Sequence, residues 1–220
     1  MSFYETDIKV ANGSPGTASR LYARTFKRVI DVTLVVLSLP IVLPLLLLLG
    51  FAVALDGGSP IYSQKRLGRG GREFRIWKLR TMVPNADLHL VKYLAENPEA
   101  RAEWSIKQKL EHDPRITLVG RALRKSSFDE LPQLINVLTG DMSLVGPRPM
   151  MVEQKALYPG RAYFALRPGI TGPWQVSDRN SCSFASRAAF DSTYYKTVSF
   201  RTDLGLLVAT TRVILRGTGC

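Results

Sequence analysis

One long apolar run dominates the hydropathy pattern: from Val32 to Leu55 the chain carries no charged residue, and leucine and valine supply most of it. Such a run is long enough to cross a bilayer's hydrocarbon core as a helix. Asp56-Gly57-Gly58-Ser59-Pro60 ends it, and no small-residue cleavage pattern follows, so it does not read as a cleavable signal sequence. Arg20, Arg24, Lys27 and Arg28 precede the run, and Lys65, Arg66, Arg69 and Arg72 follow it. Lys and Arg collect on cytoplasmic flanks, which draws both ends to one side. Pro40 and Pro44 lie near the middle, where each removes a backbone donor and disturbs the preceding turn. Two shapes stay open: a re-entrant helix-break-helix, and a kinked single span that tolerates its prolines.

Beyond this segment the apolar spacing shortens. Ile61–Gln64 and Phe74–Trp77 read as short strands around a Gly68–Gly71 turn, with Lys78-Leu79-Arg80-Thr81 directly after the second. Asn85–Glu96 and Pro98–Leu110 read as solvent-facing helices of mixed charge, Asn97 capping the second and Pro98 opening it. Ile116–Lys125 is helical or mixed, and Leu131–Leu138 is a short helix closed by Gly140. Phe184–Lys196 is a further helix, carrying Arg187, Asp191 and Tyr194. In Asp203–Leu215, the residues Leu204, Leu207, Val208, Thr211 and Leu215 recur at helical spacing, with Arg201, Arg212 and Arg216 around them. That helix suits a bilayer interface and a domain core equally. Residues 1–19 are polar and read as a loose tail.

A net charge of +12 requires an anionic partner, whether nucleic acid, lipid headgroup or phosphorylated substrate. Charge alone does not choose among them. The two cysteines, Cys182 and Cys220, are too few for a disulfide scaffold and suit a reducing compartment. His89 and His112 stand apart without ligand spacing, which argues for surface positions and against a zinc site.

The chemistry-bearing stretch is Phe128-Asp129-Glu130-Leu131-Pro132-Gln133, two adjacent acids in a neighbourhood of Arg121, Arg124, Lys125 and Arg148. One carboxylate can attack phosphorus, a second can hold Mg²⁺, and cations can offset the charge that spreads in phosphoryl transfer. Ser127-Phe128-Asp129-Glu130 also fits a capping box, a purely structural use of the same residues. Gly146-Pro147-Arg148-Pro149 is a rigid loop whose X-Pro steps pre-orient one guanidinium. Arg167–Trp174 is a second Pro/Gly loop, and either loop alone is explained by turn scaffolding.

Taken in order, these segments form a larger pattern. Lys27-Arg28 with Asp31, the apolar segment with its central proline, Arg66-Leu67-Gly68, Lys78-Leu79-Arg80-Thr81-Met82 and Asp113-Pro114-Arg115-Ile116-Thr117 come first. Arg124-Lys125, the Asp129–Gln133 stretch, Gly146–Pro149, Pro168–Gly172 and Gln175 follow. Together they closely resemble the bacterial sugar transferases, the monotopic polyprenol-phosphate phosphoglycosyl transferases, over about residues 24–218. Among these the chain is most similar to the short, ExoY-type enzymes that begin exopolysaccharide repeat units.

The resemblance implies an α+β, mostly helical protein: a flexible tail (1–19), a re-entrant helix-break-helix anchor (20–58), and a catalytic domain (59–220) at the membrane surface with a C-terminal interfacial helix. Asp129 matches the family's nucleophile, which takes a galactose or glucose 1-phosphate from a UDP-sugar, expels UMP and passes it to undecaprenyl phosphate. Glu130 matches a neighbour implicated in binding the Mg²⁺ cofactor. Lys78, Arg80, Arg124 and Arg148 fall in basic motifs assigned to phosphate oxygens. Asp191 falls in an acidic motif that supports the metal or orients a basic residue. Pro44 lies at the family's breaking position, but Leu43 stands where members often carry serine, and Pro40 is additional; Ser38 is a candidate substitute. The implied setting is the cytoplasmic face of a bacterial inner membrane, with anionic lipid as neighbour, a homodimer expected, and no nucleic-acid partner. A non-catalytic membrane protein of polysaccharide assembly is the alternative.

Overall fold

The computed structural model describes residues 21–107, 110–177 and 184–215, so the tail 1–19, Cys182, Cys220 and Arg216 lie outside the described residues. The architecture is the expected mostly helical α+β type, with two small two-stranded sheets.

After one π-type turn at Tyr22–Phe26 comes the apolar helix α1, Lys27–Leu55, which runs unbroken through Pro40 and Pro44. The expected helix-break-helix is therefore corrected to one continuous helix. A proline deletes only one ladder bond and can be absorbed by bending. Ser38 Oγ donates to Val35 O (2.8 Å), a back-bond of the kind that loosens and bends a helix. The same domain holds both ends of this helix. Near its start, Asp31 accepts from Ser143 Oγ (2.6 Å) and Leu144 N (3.3 Å), Lys27 pairs with Asp203, and Arg28 Nη2 donates to Leu138 O (2.8 Å). Near its end, Val53 packs with Leu79 and Leu123, while Arg80 Nη2 donates to Val53 O (2.8 Å). Between these anchors Val36, Leu37, Ile41, Leu43, Leu47 and Leu48 are exposed.

The hairpin forms as expected but extends further, as β1 (Ile61–Leu67) antiparallel to β2 (Glu73–Leu79). Gly70 and Gly71 turn it with φ of 71° and 77°, angles that few side chains tolerate. Ile76 of β2 joins Val35 of α1 with Val137 and Met142 in one core cluster. Helices α2 (Ala86–Glu96) and α3 (Pro98–Lys107) form the expected outlying pair. Asn97 behaves differently from expectation: its Nδ2 donates back to Tyr93 O (2.9 Å), closing α2.

Thr117 caps α4 (Leu118–Ser126) by accepting from Gly120 N (2.9 Å), and α5 (Gln133–Thr139) ends at Gly140, whose φ is 92°. A parallel pair that the sequence did not announce follows, β3 (Ser143–Val145) with β4 (Gly169–Thr171). It draws the two Pro/Gly loops together, Gly146 N donating to Thr171 O and Gly169 N to Pro147 O, both at 2.8 Å. A Cβ on Gly169 or Gly172 would collide with the Gly146 backbone, so glycine is required at this approach. Short helices α6 (Ala162–Ala165) and α7 (Pro173–Val176) lead to α8 (Arg187–Thr197) and α9 (Phe200–Leu215). The last helix packs on the domain core along one face and leaves apolar side chains exposed elsewhere. Leu206 is buried with Val145, Tyr194 and Val198, while Phe200, Leu204, Val208 and Ile214 remain exposed on the same helix.

Candidate active site

The acidic pair occupies a single 3₁₀ turn, Phe128–Glu130, wedged between α4 and α5. The capping-box geometry is absent. Ser127 ends α4 in the left-handed region at φ 59° and its side chain makes no capping bond. The Glu130 carboxylate is instead drawn across to the hairpin, where Lys78 Nζ lies 2.7 Å from Glu130 Oε1 and 3.6 Å from Asp129 Oδ2. The β1–β2 register makes this possible, because Lys78 sits opposite Tyr62 near the hairpin's open end.

Asp129 is 8 % exposed. Burial pushes its carboxyl above the ordinary range; Lys78 opposes this most strongly, the Glu130 charge adds to it, and Arg124 and Arg148 oppose it further. A carboxylate withdrawn from water has lost the hydration that blunts a nucleophile.

Of the four basic residues expected at phosphate, the structure brings three to the pair. Lys78 bridges both acids, and Arg148 Nη2 approaches Glu130 Oε1 to 3.6 Å. Arg124 donates from Nε to Thr81 Oγ1 (2.9 Å), and its charge reaches Asp129. Arg80 has a different employment: Nε donates to Ser59 O (2.9 Å) and Nη2 to Val53 O (2.8 Å), which ties the end of α1 to the hairpin. Asp191 is buried and accepts from Tyr158 OH (2.8 Å). Burial lifts its carboxyl to about 6 against the opposing effects of that hydrogen bond and of Arg187. Among the described residues no three metal-ligating side chains gather. Two adjacent carboxylates still suit Mg²⁺, which commonly takes one or two protein carboxylates and completes its shell with water and substrate phosphate.

Sequence reasoning gave no role to Arg66 and Arg187, which with Arg148 make a cluster of three arginines. Burial and the charge of Arg148 lower both, Arg187 to about 10. Arg187 lies 4.0 Å over the Trp174 ring and 4.7 Å over Phe184, and Arg148 faces Trp174 at 5.9 Å. Among the described residues, the buried Nε atoms of Arg66 and Arg187, Trp174 Nε1 and both amide atoms of Gln175 have no hydrogen-bond partner. Buried donors without partners are costly, and an anionic ligand is one way to satisfy them. Arg66 and Gln175 stood in motifs and offered a signal, whereas Arg187 lies in a helix of mixed composition and offered none. Beside Glu130 and Arg148 opens a cleft of about 180 Å³, with Leu131, Leu134, Val176 and Val213 among its walls.

The sequence profile of bacterial sugar transferases matches residues 22–217. The chain is 45 % identical over 214 residues to the UDP-galactose-lipid carrier transferase of Erwinia amylovora, covering 96 % of this chain and 44 % of that protein. It is 44 % identical over 214 residues to the undecaprenyl-phosphate galactose phosphotransferase of Salmonella typhimurium, again covering 96 % of this chain and 44 % of the relative. Against the exopolysaccharide production protein ExoY of Sinorhizobium fredii the identity is 44 % over 196 residues, covering 88 % of this chain and 87 % of that one. The chain thus spans under half of the first two and most of the third.

Proposed function

The chain belongs to the bacterial sugar transferase family, and on that premise we propose that it transfers a hexose 1-phosphate, galactose or glucose, from a UDP-sugar to undecaprenyl phosphate, beginning an exopolysaccharide repeat unit. The observation that carries this reading is the buried Asp129, 3.6 Å from Lys78 and within reach of the charges of Arg124 and Arg148.

In the first half-reaction an Asp129 carboxylate oxygen attacks the β-phosphorus of the UDP-sugar. The bond from that phosphorus to the bridging oxygen breaks, UMP leaves with the electron pair, and the sugar phosphate rests on Asp129 as an acyl phosphate. In the second, an oxygen of undecaprenyl phosphate attacks the same phosphorus, the bond to Asp129 breaks, and the carboxylate is restored. One phosphoanhydride is consumed and one is made, so no ATP is needed. Lys78 keeps Asp129 ionised, while Arg148, Arg66 and Arg187 supply donors for the diphosphate oxygens. Glu130 is the residue that would hold Mg²⁺, whose charge when bound offsets that of the phosphates. The apolar cleft beside Glu130 and Arg148 suits the first isoprene units of the acceptor.

The membrane reading is re-entrant. A 29-residue helix is about 44 Å long, yet its two ends are fastened to one domain while its exposed apolar middle carries both prolines. Insertion of that middle into one leaflet keeps the flanking cations on the cytoplasmic side of the inner membrane and holds the acidic pair near headgroup depth. Exchange of Asp129→Asn tests the catalytic reading: UMP release from UDP-hexose is expected to vanish while the protein remains folded and membrane-bound. Near-normal turnover by this variant would refute it.

A further inference from the structure

A second cavity, of about 780 Å³, lies where α1 begins, and none of Asp129, Glu130, Lys78 or Arg148 lines it. Its basic wall comes from four separate parts of the chain: Arg24 from the turn before α1, Lys27 from α1 itself, Arg69 and Arg72 from the hairpin turn, and Arg167 from the loop before β4. These five cations face two lining carboxylates, Glu73 and Asp141. Glu73 is already paired with Lys65 (3.0 Å), Asp141 accepts from Thr139 (2.9 Å), and of the cations Lys27 is matched by Asp203. Arg167 donates Nε to Gly140 O (3.0 Å), a neutral partner, and the charge of Asp31 offsets its own in part. Among the described residues Arg24, Arg69 and Arg72 have no hydrogen bond or ion pair from their side chains. The fold thus gathers cations that repel one another around an open volume; burial and the charges of Arg69 and Arg28 hold the Arg167 guanidinium below its usual range.

The rest of the lining shows what kind of anion fits. Phe74, Phe164, Leu166 and Val198 add apolar surface to the same lining. Guanidinium forks match phosphate oxygens in pairs, so cations and apolar side chains around one cavity suit a phosphate joined to something greasy or aromatic. The lining reaches the start of the apolar helix through Ala23, Arg24 and Lys27, and the neighbouring Phe26 and Val29 are exposed at 55 % and 59 %. We propose that this cavity is a second, non-catalytic phosphate site, occupied in the membrane by the headgroup of an anionic phospholipid whose chains run along the exposed start of α1. The inference rests on the reading that α1 lies in a membrane, and is independent of the chemistry assigned to Asp129.

The test uses the full chain in nanodiscs of phosphatidylcholine with increasing phosphatidylglycerol, with native mass spectrometry counting retained lipid. Arg69 and Arg72 are exposed turn residues, so Arg69→Gln with Arg72→Gln removes two cations without disturbing the core. The wild type is expected to retain phosphatidylglycerol selectively, and the double variant to bind it about thirty-fold more weakly, roughly fivefold for each cation lost at a charged surface. A second arm titrates lipid-depleted protein in neutral detergent with inorganic phosphate and with UMP, reading thermal shifts, and uses Arg148→Gln to discount the catalytic site. A saturable shift lost in the double variant, without lipid selectivity, retains the phosphate site and assigns it to a soluble ligand. If the double variant matches the wild type in both arms, the cavity binds no phosphate and the proposal falls. UMP release from the same preparations is expected to persist in the double variant, which separates a failure here from a failure of the catalytic reading.

Discussion

Lys78→Met removes the ammonium that lies against both acids. At the 3.6 Å separation of Nζ and Asp129 Oδ2, an effective dielectric of about 20 gives an attraction of about 4 to 5 kcal/mol. Water entering the vacated space recovers part of this. If half is recovered, about 2 kcal/mol remains lost, or roughly thirtyfold in rate. The sign of the pH effect follows from the neighbours. Lys78 is the strongest influence holding the Asp129 carboxyl down, against burial and the Glu130 charge, so without it Asp129 keeps its proton to higher pH. The acid limb of the rate profile therefore moves to higher pH in Lys78→Met, and activity recovers partly in alkaline buffer. Lys78→Arg, which keeps the charge, leaves the limb near its original position. The assay is steady-state UMP release across pH in nanodiscs, with UDP-hexose and undecaprenyl phosphate saturating. A uniform loss of rate with an unmoved acid limb would refute the idea that Lys78 keeps the nucleophile ionised.

Arg187→Gln leaves a phosphate without one charge-assisted partner; kcat/KM for the UDP-sugar is expected to fall about 10- to 100-fold, and unchanged steady-state kinetics would place Arg187 outside the substrate contact. Asp191 has its folded-state carboxyl raised from 3.8 to about 6, so the stability it contributes is full below the lower value and is lost as pH rises through the higher one. The difference at neutrality is about 3 kcal/mol, so Asp191→Asn, which can still accept from Tyr158, is expected to gain stability relative to wild type between pH 4 and 7 in detergent melts. A gap that stays constant across that range would contradict it. For the membrane helix, single cysteines at Thr25 and Ser59 in a background lacking Cys182 and Cys220 are expected to label from the same face of sealed vesicles, whereas labelling from opposite faces would establish a full span.

What the sequence disclosed, and what it hid, divides along the distance between interacting residues. The β1–β2 hairpin, the outlying helices and the stop at Gly140 rest on local periodicity and turn chemistry, and they formed as read. β3 and β4 are three residues each and pair across a long connection, so neither has enough alternation to register. Lys78 and Arg80 occupy equivalent faces of one motif and look interchangeable in the sequence. Their fates differ because the strand ends between them: Lys78 projects from the ladder to the acids, while Arg80 lies past it, beside the carbonyl of Val53. The prolines of α1 named a weak point, but the helix continues through them despite the two lost donors, which is a tertiary outcome. Arg187 became legible only once Trp174 and Phe184 were seen beneath it.

If Asp129 carries the sugar phosphate, intact-protein mass spectrometry records it as a covalent adduct. With UDP-hexose and no acceptor, the wild-type chain is expected to release one equivalent of UMP and gain the mass of one hexose phosphate, which added undecaprenyl phosphate then discharges. Asp129→Asn is expected to show neither the burst nor the gain. UMP release without any adduct on the wild-type chain, or an adduct that persists in Asp129→Asn, would show that Asp129 does not carry the sugar phosphate.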